Sequence, residues 1–335
     1  MNANAPPVGG GVGLSPVILG LWPIAGVTTV GVTRQAARDT IATAIDCGIR
    51  AFDSAFSYGF DGESDRLIGD FIRADRDAYF LIGKVGQRWD RERRRVVDGR
   101  PETLRADAEC SLRRIGIDRF DLLMLHAPDP SLPPELSAGA IAELRDRGLC
   151  DRVGICNADT AQRRDFARVA GCDAIQCPLN LMQRQSLSQT VPQAAADGCD
   201  VHVYWTLMKG LLAGRIAPDH TFPPGDSRPG YAIFQGESRR RAHEIVDGLR
   251  KIGGASGMTV AQLSIGWALS QPGVTAALVG GRRPDQIRET AAARPLPADI
   301  LEKIEDLASP AGTHPGAGRP RPLGVDEGAG TSRQQ

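Results

Sequence analysis

The chain has 335 residues, is 41% hydrophobic, and carries 40 basic against 40 acidic residues for a formal net charge of zero. That is enough apolar material for one large domain or two ordinary ones. The balanced charge gives no reason to expect nucleic acid or an anionic membrane surface as a partner. Seven cysteines, an odd number without a C-x-x-C pair, and five scattered histidines rule against a zinc knuckle or a disulfide framework. Free thiols used as small core residues suit a reducing cytosol, and a cytoplasmic location is expected. The opening MNANAPPVGGGVG has neither the basic nor the apolar region of a signal peptide. No apolar run approaches the roughly 20 residues of a spanning helix.

Strand-like and helix-like segments alternate along the chain. VILGL (17–21) precedes an amphipathic stretch from Thr33 to Cys47, with Thr33 as its cap. RAFDSA (50–55) leads through a glycine-bearing turn to a helix from Glu63 to Arg73, with Glu63, Ser64 and Asp65 read as cap-like. AYFLIGKVG (78–86) is followed by an arginine-rich loop and a helix from Pro101 to Ile115. FDLLMLH (120–126) precedes a helix from Pro134 to Arg147, RVGICN (152–157) one over 160–169, and DAIQCPLN (173–180) one over 186–197. DVHVYW (200–205) precedes a long Gly- and Pro-rich excursion and then a helix from Gln235 to Ile252. A last helix, Val260 to Leu269, leads to TAALVG (275–280). Eight short apolar strands separated by helices imply parallel strands with both faces covered. No G-x-G-x-x-G follows the first strand, so the expected fold is a single-domain (β/α)₈ barrel over 13–309 rather than a doubly wound sheet. Residues 1–12 are expected to be loose, and the Gly-, Pro- and Arg-rich 310–335 to be a disordered tail.

In such a barrel the C-terminal strand ends meet at one face. Strand two ends in Asp53 with Tyr58 just beyond, strand three in Lys84, and strand four in His126. Strand five ends in Asn157, strand six in Gln176, and strand seven in Tyr204 and Trp205. The chain has only four lysines (84, 209, 251 and 303), so one inside the apolar LIGKVG carries weight. A phenol titrating near ~10 is a weak acid at neutral pH, and a nearby ammonium is expected to lower its pKa. A carboxylate beside the lysine keeps it charged, and a neutral histidine can hydrogen-bond a substrate oxygen. Together these four suit delivery of a proton to a carbonyl oxygen. Singly each has an ordinary explanation: a helix-entry aspartate, a packing tyrosine, a snorkelling lysine, a satisfied core histidine. Their convergence favours the chemical reading.

The motifs resemble those of the aldo-keto reductase superfamily from about Leu14 to Pro295. DSAFSYG followed by GESDRLIG, then LIGKVG, DLLMLHAPD, GICN, QCPLNLM, YWTLMKGLLAGR and LVGGRRPDQIRET stand in the family's order. The resemblance implies the barrel fold and an NADPH cofactor. Tyr58 would be the general acid/base, Lys84 and Asp53 its support, and His126 the group orienting the carbonyl. It assigns Asn157 and Gln176 to the nicotinamide carboxamide, Tyr204 to stacking on the ring, and the backbone around Leu207 and Gly210 to the pyrophosphate. The segment bearing Gly280, Arg282, Gln286 and Thr290 would take the adenosine end. There a helix start and a 2′-phosphate clamp by Arg282 or Arg283 favour NADPH over NADH. The sequence departs from the family at Cys156, usually serine, at Trp205-Thr206, usually Ser-Pro, and at Gln286 and Thr290. These bear on cofactor preference and leave the four catalytic positions untouched.

The expected reaction is hydride transfer between nicotinamide and a small aldehyde, ketone or sugar. Trp22, Phe56, Trp89 and Trp205 are the candidate pocket aromatics, all expected in loops, with 23–32 and 213–234 as further walls. Two other readings stand beside it: a cofactor-binding regulatory barrel with little catalysis, and a lyase or aldolase using Lys84 as a Schiff base. The residues indicate neither the direction of the reaction nor an oligomeric state.

Overall fold

The computed structural model describes residues 14–27 and 31–308. The two expected flexible termini, 1–12 and 310–335, lie outside the described residues, as does part of the 23–32 loop. Eight parallel strands close into a barrel: β1 (Val17–Gly20), β2 (Ala51–Asp53), β3 (Phe80–Val85), β6 (Phe120–Leu125), β7 (Cys150–Cys156), β8 (Ala174–Pro178), β9 (Asp200–Tyr204) and β10 (Ala276–Val279). They follow one another around the barrel in sequence order, β10 closing onto β1. Helices α1 (Arg34–Asp46), α2 (Glu63–Ile72), α3 (Pro101–Ile115), α4 (Pro134–Asp146), α5 (Thr160–Ala170), α6 (Thr190–Ala196), α7 (Gly236–Ser256), α8 (Val260–Leu269), α9 (Pro284–Thr290) and α10 (Ala298–Ala308) supply the crossovers and the outer layer. The expected strands are present, most with their ends trimmed, while β7 begins two residues earlier than expected, at Cys150. No described helix is long and apolar enough to cross a membrane.

Local chemistry places several of these ends. Thr33 caps α1 through a bond from the Ala36 amide, as expected. Helix α3 begins at Pro101 and stops at Gly116, whose φ of 80° suits the left-handed cap. Helices α5 and α8 open on full capping boxes, Asp159–Gln162 and Thr259–Gln262.

Three expectations are corrected. The arginine-rich stretch after β3 is an antiparallel hairpin rather than a loop, made of β4 (Gln87–Trp89) and β5 (Arg95–Val97), with Trp89 opposite Arg95. Helix α10 is an element the periodicity did not suggest. Glu63, Ser64 and Asp65 do not cap α2: Gly62, at φ 70°, holds the cap position without a side-chain bond, and Ser64 and Asp65 are buried.

The barrel interior explains the position of the site. Alternate residues point inward, and the apolar ones (Ile18, Ala51, Phe80, Ile82, Leu122, Met124, Ala174, Ala276 and Leu278) form a core separate from the larger strand–helix core. Glycines at strand centres let neighbouring strands approach: a Cβ on Gly154 would lie 2.4 Å from the Ala174 carbonyl oxygen. Two residues further along β2 and β3, the inward positions become Asp53 and Lys84. Both are buried and joined by an ion pair.

Such a pair is costly to desolvate, and it costs more to break than to keep. Lys84→Met should strand the Asp53 carboxylate and lower stability by about 3–5 kcal/mol, read from urea unfolding. Adding Asp53→Asn should restore most of that loss. An unchanged urea midpoint in the single variant would contradict the assignment.

Candidate active site

The pair sits in a connected polar layer. Asp53 Oδ1 accepts from Lys84 Nζ, and Oδ2 accepts from Gln176 Nε2 at 2.7 Å. Lys84 Nζ also reaches the Ser54 carbonyl at 3.4 Å and lies 4.8 Å from the Tyr58 ring centre. The Tyr58 hydroxyl is 3.4 Å from Asp53 Oδ1. Its ring is wedged edge-on between Trp22, at 5.1 Å, and His126, at 5.7 Å. The four residues named from strand ends therefore meet at one mouth of the barrel.

The charge states follow from burial. Burial, the largest single influence, would push Lys84 down, but the adjacent Asp53 carboxylate together with Tyr58 and Cys156 more than offsets it, and the net shift is upward. A lysine held so firmly as an ammonium is no free amine nucleophile, which removes the basis for the Schiff-base reading. Burial raises the Tyr58 pKa above its ordinary value, more than the Lys84 ammonium lowers it. The net downward shift expected from the sequence is therefore reversed: desolvation of a phenolate exceeds the attraction of a cation already paired with Asp53. Burial, then Lys84 and Arg95, hold His126 well below the usual histidine range, so it is neutral. Its Nδ1 is buried without a hydrogen-bond partner among the described residues. His202, inward on β9 and not singled out from the sequence, is likewise neutral, pushed down to about 4 chiefly by burial.

The loop carrying Tyr58 is braced from behind. Ser64 Oγ donates to the Tyr58 carbonyl at 3.0 Å, and Ser54 Oγ donates to Asp65 Oδ1 at 2.6 Å and lies 2.8 Å from Ser64 Oγ. The residues read as a cap thus tie α2 to the strand end beneath the tyrosine. Burial pushes the Asp65 carboxyl up to about 6. Asn157, at φ 58°, donates from Nδ2 to the His126 carbonyl at 2.9 Å and accepts from the Tyr204 hydroxyl at 2.6 Å. Cys156 is a buried thiol, raised to about 12 by burial, with Asn157 Nδ2 3.2 Å from its sulfur.

Beside this centre runs a cleft of about 610 Å³. The residues named for the cofactor from the later segments, Leu207, Gly210, Gly280, Arg282, Gln286 and Thr290, all line it, as do Trp22, Trp205 and Thr206. Residues 205–210 are backbone-strained: Trp205, Met208 and Lys209 have φ of 60°, 44° and 52°, and Gly210 has 93°. Non-glycine residues adopt that region at a cost, and such outliers cluster at ligand clamps. Gly280 lets the end of β10 approach the loop after β1, since a Cβ there would meet Pro23 at 2.5 Å. The excursion expected as a substrate wall instead contributes His220, Pro223, Asp226, Ser227 and Arg228 to this cleft.

Not every named side chain is available in the cleft. Arg283 is paired with Asp285 at 2.9 Å, whereas no carboxylate lies within ion-pair distance of Arg282 among the described residues. Gln286 Oε1 accepts from the Arg282 amide at 2.8 Å, and the Thr290 hydroxyl donates to the Gln286 carbonyl at 2.9 Å. Both line the cleft with those groups already engaged. Thr206 Oγ1 is buried and has no hydrogen-bond partner among the described residues. An orphaned hydroxyl, an unpaired guanidinium and a strained loop along one groove fit a polyanionic nucleotide cofactor.

The candidate pocket aromatics divide. Trp22 stacks on Trp89 at 6.4 Å, and Phe60, which sequence reasoning missed, meets Trp89 edge-on at 5.0 Å. Trp89 belongs to β4 rather than to a loop and donates from Nε1 to the Ser57 carbonyl at 2.9 Å. Trp205 packs on Tyr204 and Tyr231 at the cleft. Phe56 does not join the wall: its ring lies between the guanidiniums of Arg88 and Arg114, at 5.2 and 4.8 Å.

Known proteins share both sequence and architecture with this chain. The sequence profile of the Aldo/keto reductase family matches residues 16–309. Aldo-keto reductase YhdN of Bacillus subtilis (strain 168) is 32% identical over 287 residues, covering 83% of this chain and 84% of that protein. NADH-specific methylglyoxal reductase of Escherichia coli (strain K12) is 29% identical over 295 residues, covering 84% and 90%. The glycerol dehydrogenase AKR11B4 from Gluconobacter oxydans superposes with a TM-score of 0.82 at 30% identity, over 90% of this chain and 95% of that one. The chain belongs to the aldo/keto reductase family and is an NAD(P)H-dependent carbonyl oxidoreductase built on a closed (β/α)₈ barrel.

Proposed function

We propose that the protein reduces a small aldehyde or ketone, or a sugar carbonyl, with Tyr58 as the proton donor and NADPH preferred over NADH. The observation that carries this is the meeting of Tyr58, Lys84, Asp53 and His126 at one barrel mouth, beside a cleft fit for a nucleotide. The nicotinamide supplies the hydride when bound. Tyr58 gives its proton to the carbonyl oxygen as negative charge develops there. The Lys84 ammonium faces the resulting phenolate, and Asp53 keeps that ammonium charged and in place. His126, neutral, orients the carbonyl by a hydrogen bond. Asn157, Gln176 and Tyr204 would seat the nicotinamide. The 205–210 backbone, with Leu207 and Gly210, would hold the pyrophosphate, and Gly280 to Thr290 the adenosine end. Gln176 is at present bonded to Asp53, so its part in holding a carboxamide would be shared with the catalytic layer.

The preference for NADPH rests on Arg282. Burial and the neighbouring Arg228 and Arg283 cations lower its pKa more than nearby Asp226 raises it, leaving a net cationic neighbourhood. A 2′-phosphate would balance that charge. The Escherichia coli relative is NADH-specific by name, so cofactor choice varies among related chains. The relatives named for methylglyoxal and glycerol support a small carbonyl compound or alcohol as the substrate class.

Tyr58→Phe should abolish turnover in both directions while leaving cofactor affinity, read by quenching of protein fluorescence, nearly unchanged. Retention of most turnover would remove Tyr58 from the proton-donor role. A raised tyrosine pKa keeps the proton bound until pH exceeds the folded value, above the ordinary ~10. The rate of reduction should therefore show no falling limb from Tyr58 between about pH 6 and pH 10, while alcohol oxidation, which needs the phenolate, should rise throughout. A reductive rate that fell steeply near pH 8 would contradict this. Arg282→Ala should raise the KM for NADPH about tenfold or more, the loss expected for one charge-assisted contact, with a much smaller change for NADH. Equal changes for both cofactors would place the arginine elsewhere in the binding scheme.

A further inference from the structure

The hairpin β4–β5 carries more than Trp89. It holds Arg88, Arg91, Arg93, Arg94 and Arg95, and several of these are accounted for. Arg88 pairs with Asp107, Arg94 pairs with Asp90 and Glu92, and Arg93 lies over Phe60 on the outer side. Arg95 is different. It stands opposite Trp89 in the antiparallel ladder, so the two side chains share a face. Its guanidinium carbon lies 5.2 Å from the Trp22 ring centre, against the same indole that touches Tyr58 at 5.1 Å. No carboxylate lies within ion-pair distance of it among the described residues. Its positive charge acts on His126 and on Tyr204, across the mouth of the barrel.

Stacking on an indole holds a guanidinium in place without neutralising it, and leaves its in-plane N–H donors free for a carboxylate or phosphate. The catalytic layer supplies no competing net charge, because Lys84 is paired with Asp53 and His126 is neutral. Trp22 lines the cofactor cleft, whereas Arg95, Trp89 and Tyr58 do not, so Arg95 lies toward the side left for the substrate. We propose that Arg95 is a specificity-determining residue, and that the preferred substrates are aldehydes or ketones bearing an anionic group, a carboxylate or a phosphate. Arg95 engages the anion while the carbonyl reaches Tyr58 across the Trp22 indole. This rests on the reductase reading of the site.

The test compares matched pairs: 4-carboxybenzaldehyde against methyl 4-formylbenzoate, and glyceraldehyde 3-phosphate against glyceraldehyde. Each is followed by NAD(P)H absorbance with wild type, Arg95→Ala and Arg95→Glu. Wild type should favour the anionic member in kcat/KM. Arg95→Ala should cut that selectivity ratio by about tenfold to a hundredfold, chiefly through KM, and Arg95→Glu should invert it. A preference in one pair alone identifies the anion and supports the proposal. As a measurement independent of the variants, the wild-type ratio should fall as salt is raised from about 20 mM to 500 mM. A wild-type ratio at or below one in both pairs, or a ratio unmoved by Arg95→Ala in protein that still binds cofactor, would overturn it. If no carbonyl compound in the panel oxidises bound cofactor, the reductase reading itself fails and the proposal falls with it.

Discussion

The ion pair between Lys84 and Asp53, shut inside the barrel, is the constraint on which the rest of the site depends. Two charges removed from water are tolerable only when each is fully engaged. Asp53 meets Lys84, Gln176 and, at longer range, Tyr58 through its two oxygens, and Lys84 reaches the Ser54 carbonyl as well. Strands β2, β3 and β8 are thereby linked across the barrel interior at one height. The pair also fixes the charge of its surroundings. It presents an ammonium to the tyrosine while adding no net charge to the pocket. That leaves burial to dominate both neighbours, keeping Tyr58 protonated and His126 unprotonated. In the proposed roles, a neutral Tyr58 and a neutral His126 beside a fixed cation would meet an oxygen that becomes negative during the reaction with little reorganisation.

The chemistry is built on strand ends, whereas the adjoining cleft is built on strained and irregular backbone. Trp205, Met208 and Lys209 are held in the left-handed region within a single short loop, which the packing around Leu211 and Leu212 must enforce. Trp22 belongs to both parts: it lines the cleft and touches Tyr58 and Trp89. A change in the position of that indole would be felt by the cleft, Tyr58 and Trp89 together.

Much of this was legible in the sequence because strand periodicity carries geometric information. Inward positions recur every two residues, so Asp53, Lys84 and Gln176 had to point into the same interior once eight parallel strands were inferred. Loops have no such period. Phe56 and Phe60 were equally plausible wall residues, and the side chains chose oppositely: Phe56 sits between two guanidiniums, while Phe60 joins the aromatic group. The hairpin escaped notice because DRERRR reads as a solvated charge run, and its turn uses Arg93 at φ 60° where glycine or asparagine would have signalled a reversal. Ser64 and Asp65 stood where a cap is expected but face the core. Burial, which decides between those roles, is a property of the assembled α2–β2 contact and not of the local sequence. The same holds for the Tyr58 pKa, where the presence of a lysine was readable but the extent of desolvation was not.

The separation of neutral chemistry from charged surroundings has a consequence for how such a site changes. Lys84 and Arg95 are carried by consecutive elements, the end of β3 and the hairpin that follows it, yet they meet different demands. Lys84 is enclosed and fully paired, so substitution there disturbs the barrel as well as the reaction. Arg95 is only partly buried and held by stacking, so its removal costs the fold little and alters which molecules are attracted to the mouth. Arg282 stands in the same relation to the adjoining cleft, half-covered and without an acidic partner within ion-pair distance among the described residues. On the proposed roles, specificity for both ligands would vary at cations on the rim while Tyr58 and its support remain intact, so a single barrel could accommodate different carbonyl compounds and different nicotinamide cofactors.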